Sequence, residues 1–213
     1  MILDKRENAL EIFLNNQSLK PDDVIEYLRS YDSDEPLVLR YLQEYTERKK
    51  NASASYHNIL AKEYVQEIFK LKGRSKSYHH KCDDQETLDA IRRDFNIFLE
   101  KSKKYDVNLV LKQIGDTWMM EESIYLLVRN NNHKSALETY IDKGMDLEAE
   151  KFCLKQPKDL NLLTTLFEIY MERYKFWKNK CVEISTQQKS SSEFANAKNK
   201  LQGFELISMN LLK

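Results

Sequence analysis

Chemistry in this 213-residue chain would have to come from four histidines, three cysteines and a few basic runs. The stretch YHHKC, Tyr78–Cys82, sets two imidazoles beside a thiol, donors suited to zinc or copper. A structural zinc takes four ligands, and no second Cys/His pair lies near, so the stretch reads as a loop. Cys82, Cys153 and Cys181 are odd in number and widely spaced, which fits reduced thiols in the cytosol better than a disulfide frame. His57 falls inside the apolar stripe of its segment. A ligand or base role is weighed there against a partly buried, hydrogen-bonded structural histidine, and the structural role is adopted. His133 reads as a first-turn helix residue. Met119 and Met120 beside Trp118 offer an adaptable surface or core packing at a repeat boundary, and packing is adopted. Ser190, Ser191 and Ser192 are explained by a cap and a turn. No glycine-rich phosphate loop, nucleophile elbow or Ser/His/Asp order is visible, and four glycines leave little material for one. No cofactor is expected, and an enzyme is the most remote of the classes considered.

The basic residues Lys70, Lys72, Arg74, Lys76 and Lys81 follow one another without an intervening acid. Near an anionic leaflet each would contribute about 1 kcal/mol, which makes Lys72, Arg74, Lys76 and Lys81 candidate lipid contacts. The competing reading, a solvated and mobile basic loop over residues 73–84, is preferred. Over the whole chain, 34 Lys and Arg balance 34 Asp and Glu, so no global field draws it to nucleic acid or membrane. No segment spans a bilayer, and the start lacks an apolar signal core.

The elements that would position these residues are helical throughout. Charged residues at 32% and hydrophobic ones at 41% describe a folded chain, and three prolines with four glycines are too few for a protein of hairpins. Leu10, Phe13 and Leu14 share one helical face. Pro21 sits at a first helical position with Asp22 and Asp23 complementing the dipole, and Asp34 with Pro36 repeats the device. Val38, Tyr41, Leu42 and Tyr45 step with helical period. Tyr56, Ile59, Leu60, Tyr64, Ile68 and Leu71 form the next stripe. DDQE from Asp83 resembles a capping box ahead of Leu88, Ile91, Phe95, Phe98 and Leu99, and Ser190 with Glu193 is a second one. A shorter piece runs from Val107 to Ile114 and ends at Gly115. After Pro157, Leu163, Leu166, Phe167 and Tyr170 are in register, and the last quarter is read as two or three helices broken at Ser190–Ser192 and Gly203.

This is roughly a dozen helices of ordinary length joined by short turns, so neighbours lie antiparallel. The predicted fold is all-α: one α-solenoid of stacked antiparallel hairpins over residues 1–213, with no strict period. The segment Asn130–Gln156 is a single such unit. Gly144 closes its first helix in the left-handed conformation, Ala136 and Ala149 permit close approach, and Leu137, Tyr140, Ile141, Leu147 and Phe152 supply the buried stripe.

The words ALEIF, KPDDVIEYL, VLRYLQEY, SYHNILAKEYVQEIF, ESIYLLVRNNNHKSALETYI and DLEAEKFC occur in this order. In order and wording, over roughly the first four-fifths of the chain, they resemble the vacuolar sorting protein 39 family, which includes the TGF-beta-receptor-associated proteins. The resemblance implies a clathrin-heavy-chain-repeat solenoid from a subunit of the HOPS or CORVET tethers. It implies a non-enzymatic scaffold in vesicle docking and fusion, with other tether subunits as partners. Rab GTPases and SNAREs would be reached through the full-length protein. It implies a cytoplasmic protein, at most peripheral on endosome, vacuole or lysosome membranes, with no nucleic-acid partner. A signalling adaptor binding receptor or Smad-type partners is the alternative. The N-terminal β-propeller and C-terminal cysteine-paired zinc segment of full-length members are not found, so the chain is read as a fragment. A cut solenoid exposes apolar ends, here Leu10, Phe13 and Leu14 at one end. At the other, Phe204, Leu206, Ile207 and Leu211, with Met209 and Leu212, form the candidate self-association surface.

Overall fold

A computed structural model describes residues 2–16, 18–31, 36–74, 81–115, 118–155, 161–186 and 191–211. Among them there are eleven helices and no strand: α1 (Ile2–Asn15), α2 (Pro21–Ser30), α3 (Leu37–Arg48), α4 (Ala54–Arg74), α5 (Lys81–Lys101), α6 (Val107–Ile114), α7 (Met120–Arg129), α8 (His133–Asp142), α9 (Asp146–Lys155), α10 (Leu162–Thr186) and α11 (Ser191–Leu211). They form two compact units, Met1–Glu122 and Ser123–Lys213.

In the first unit α4 packs against α3, α5 and α6. Its residues Leu60, Ala61, Tyr64, Val65, Ile68 and Leu71 recur with helical period and are all buried. Facing them, Tyr41 and Leu42 of α3 and Leu88, Phe95 and Leu99 of α5 are also buried. Tyr45 meets Tyr56 across α3 and α4, while Tyr64 meets Phe95 and His57 meets Phe98 across α4 and α5, so the pairs run antiparallel. The link from α5 to α6 is pinned by polar contacts. Lys104 Nζ donates to the carbonyls of Lys50 (2.7 Å) and Ala52 (3.0 Å). The Asp106 amide donates to Asn58 Oδ1 at 2.7 Å, and the Asp106 carboxylate caps α6 through the amides of Asn108 and Leu109. Leu10 is buried and Phe13 packs edge-on against Tyr27, so the N-terminal face expected to lie bare is largely covered.

In the second unit Leu137, Ile141, Ala149, Cys153, Leu162, Leu166, Ile169 and Tyr170 form one buried cluster. Leu147, expected in that stripe, is exposed, because the inward positions of α9 are Ala149 and Cys153, four apart. Leu163 is exposed for the same reason: Leu162, Leu166, Ile169 and Tyr170 hold the inner face. Turn chemistry fixes the α7–α8–α9 connections. Asn131 takes a φ of 56°, its amide reaches the Val128 carbonyl and that of Asn132 the Leu127 carbonyl. The Asn132 side chain then caps α8 by accepting from the Ser135 amide. At the end of α8, Gly144 takes a φ of 71°, with its amide on Ile141 and that of Met145 on Tyr140, the paired bonds of a Schellman close.

Other expectations shift at element ends. α5 begins at Lys81, ahead of Asp83, since aspartates in a first turn favour rather than stop a helix. α4 runs through Gly73 and Arg74, so of the loop expected over 73–84 only 75–80 lie between helices, and these are outside the described residues. Asp34 and Ser190 also fall outside them, and Pro36 directly precedes α3. Gly203 does not break α11, which packs along α10 and carries the glycine inside it.

The two glycines predict opposite outcomes in urea unfolding of the second unit. Gly144→Ala should destabilise it by about 1–2 kcal/mol through the left-handed φ. Gly203→Ala should stabilise it by about 0.5–1 kcal/mol, since nothing lies within 4 Å of an added Cβ.

Candidate functional site

The first unit carries a groove of about 440 Å³. α4 forms its floor with His57, Leu60 and Tyr64, which are spaced by three and four residues and so share a face. α3 raises one wall with Gln43, Glu44 and Glu47, and α5 the other with Asp94, Ile97, Phe98 and Lys101. Tyr64 is buried, and its hydroxyl accepts from Gln43 Nε2 at 2.7 Å. Burial pushes this phenol up to about 12; the Gln43 bond works against that, while the carboxylates of Asp94 and Glu47 add to it.

His57 and Ser102 meet at the end of the groove, with 2.9 Å between Nδ1 and Oγ. The pair does not make an activated nucleophile. No carboxylate among the described residues bonds the imidazole, Ser102 Oγ also accepts the Lys104 amide at 3.4 Å, and the ring stacks on Phe98. His57 is thus the hydrogen-bonded structural histidine read from the sequence. Burial, then the Lys104 charge, lowers its pKa from 6.5.

A third cluster joins α5 to the start of α7. Arg92 binds the Glu122 carboxylate in a fork, Nε to Oε1 at 2.9 Å and Nη2 to Oε2 at 3.0 Å, and Glu122 is 1% exposed. Arg92 and Lys72 each lie 4.9 Å from the Trp118 ring centre. Met119 is fully buried, as the packing reading expected.

The second unit has a cleft of about 380 Å³ at the α8–α9 turn, where Gly144, Arg173, Trp177, Lys200 and Phe204 come together. Arg173 pairs with Asp142, and the Tyr170 hydroxyl donates to Asp146 at 2.7 Å. Lys200 and Lys180 lie 4.6 and 5.0 Å from the Trp177 ring centre. Burial pushes the Cys153 thiol up to about 11, so it is a packed thiol donating to the Leu162 carbonyl and not a nucleophile.

Of the residues named in advance as a self-association face, Phe204 and Ile207 pack against the buried cluster, Leu206 is 63% exposed, and the Leu211 side chain is outside the described ones. Of the lipid candidates, Lys72 covers Trp118, Arg74 is in the last turn of α4 and Lys81 opens α5, while Lys76 is outside the described residues. Tyr78, His79 and His80 are outside them as well, and the described residues hold no group of three or more metal-ligating side chains. His133 opens α8, with its Nδ1 buried and no hydrogen-bond partner among the described residues. Sequence reasoning missed the Arg92–Glu122 fork, which joins positions thirty apart. It also passed over RYKFWKNK, Arg173–Lys180, whose four cations and three aromatics without an acid were a readable signal.

The chain is similar to Transforming growth factor-beta receptor-associated protein 1. The human protein is 28% identical over 161 residues, 72% of this chain and 18% of the relative. The Vacuolar protein sorting-associated protein 39 homolog of Drosophila melanogaster is 25% identical over 142 residues, 65% of this chain and 16% of its own length. The mouse receptor-associated protein is 27% identical over 138 residues, covering 64% of this chain and 15% of the relative. The chain therefore spans less than a fifth of the curated relatives it matches. No family model and no solved structure matches. No described helix is long and apolar enough to cross a membrane.

Two outcomes follow for the first unit. Arg92→Leu leaves a buried carboxylate unpaired and should cost about 3 kcal/mol, whereas Arg92→Leu with Glu122→Leu should recover most of it in urea titrations. His57 binds its proton less readily folded than unfolded. Stability should therefore fall as pH drops through 6.5, and His57→Gln should flatten that slope in thermal melts recorded between neutral and mildly acidic pH.

Proposed function

We propose that this chain is a non-enzymatic scaffold segment of a membrane-tethering subunit of the vacuolar sorting protein 39 type. It acts through protein–protein contacts in vesicle docking and fusion. The observation that carries the reading is the similarity over 161 residues to a receptor-associated relative, joined by that to a vacuolar sorting homolog. The all-helical build supports it: antiparallel helices whose buried faces are covered by neighbours, with Ser102 and Cys153 held in structural bonds. Stacking of the helices in the manner of a clathrin-heavy-chain-repeat solenoid belongs to this proposal. So do HOPS- or CORVET-type partners, Rab and SNARE contacts through a longer protein, and a peripheral place on endosome, vacuole or lysosome membranes.

A second reading is favoured by the name shared by the human and mouse relatives: an adaptor for receptor cytoplasmic tails. Parallel affinity purifications separate the two, one against purified tether core subunits and one against receptor tails. The tether reading expects retention by tether subunits and none by receptor tails beyond a tag-only control. Retention by receptor tails alone would replace it with the adaptor reading.

A further inference from the structure

The groove of the first unit carries two carboxylates without a partner. Glu47 on α3 and Asp94 on α5 stand on opposite walls, and neither makes an ion pair with a described residue. Their neighbour Glu44 is different, because Arg48 holds it at 3.2 Å while also binding Glu11. Lys101 is the only cation among the lining residues, and it lies two helical turns along α5 from Asp94. Over the buried Leu60 of the floor, the apolar surface between the walls comes from α5, where Phe98 is half-buried and Ile97 is 46% exposed. The Tyr64 hydroxyl adds a buried polar group at the same place. It accepts from Gln43, and its own proton has no acceptor among the described residues. Both carboxylates line this groove, one from each of its two walls.

We propose that this groove docks a basic amphipathic segment of a partner protein, with apolar side chains on Ile97 and Phe98 and a lysine or arginine between Glu47 and Asp94. Charge decides the class of occupant. Two unpaired carboxylates repel nucleic acid and anionic lipid, and attract a cation whose donors they can share. Geometry decides its form. Two helices standing on either side of a third present a trough into which an amphipathic segment lays its apolar side. An arginine suits the position best, since its fork has donors enough for both carboxylates. The proposal rests on the groove alone and holds whether the chain serves a tether or an adaptor.

The test uses the whole chain and a fluorescein-labelled peptide of leucine and lysine ordered as an amphipathic helix, followed by anisotropy. A leucine and glutamate peptide of the same order, and a scrambled leucine and lysine peptide, serve as comparisons. The ordered basic peptide should bind, and more weakly as salt rises. Glu47→Gln with Asp94→Asn should weaken binding by about threefold to tenfold, the effect of losing two exposed charge contacts. Glu172→Gln with Glu205→Gln, on the second unit, should leave it unchanged. The circular dichroism and thermal melt of the isosteric groove variant should match those of the native chain, which shows that it is folded. No binding by the native chain overturns the proposal, as does equal binding by the groove variant, or binding of the glutamate or scrambled peptide as tight as the ordered basic one. Self-association in light scattering that the groove variant abolishes would overturn the partner assignment in favour of a second copy of this chain.

Discussion

Everything in the first unit depends on the burial of one face of α4. Leu60, Ala61, Tyr64, Val65, Ile68 and Leu71 lie under α3, α5 and α6, and among the described residues α4 is the main packing partner of α5 and α6. Truncating one such leucine would cost about 2–5 kcal/mol, a large share of a domain's total stability. The same constraint makes the groove. α3 and α5 both lean on α4 and so stand apart above His57, Leu60 and Tyr64. The polar clamps at Lys104 and Asp106 keep the far end of α5 from drifting, because each satisfies backbone groups of the α3–α4 connection or of α6.

Function follows from what this packing removes and what it leaves. His57 and Cys153 are drawn into the helix interfaces, and burial favours the neutral form of each. What remains at the surface is shape and charge: a groove between acidic walls in one unit, and in the other a cleft where Lys180 and Lys200 crowd Trp177. Such surfaces suit a chain that holds partners in place. That agrees with its likeness to sorting and receptor-associated proteins.

The parts legible from sequence were those set by local rules. Gly144 announces the end of α8, because few other residues accept a left-handed φ. Ala136 and Ala149, picked out for their size, are fully buried. Errors came where two local signals competed. Leu147 and Leu163 are apolar and near the right register, yet Ala149 and Leu162 occupy the inner face. Gly203 looked like a break, but packing against α10 outweighs about 1 kcal/mol of helix propensity. The groove was invisible for a different reason. Gln43, Tyr64 and Asp94 lie on three helices, and no spacing within any one of them says that they meet.

Hydrogen–deuterium exchange, read helix by helix on the whole chain, tests the central claim that α4 is the rigid base of the groove. Amides of α4 from Leu60 to Leu71 should exchange most slowly in the first unit, with α3 and α5 intermediate and α1 fast. If α4 exchanged as fast as α1, the groove would have no fixed floor, and the account of it as a preformed binding surface would fail.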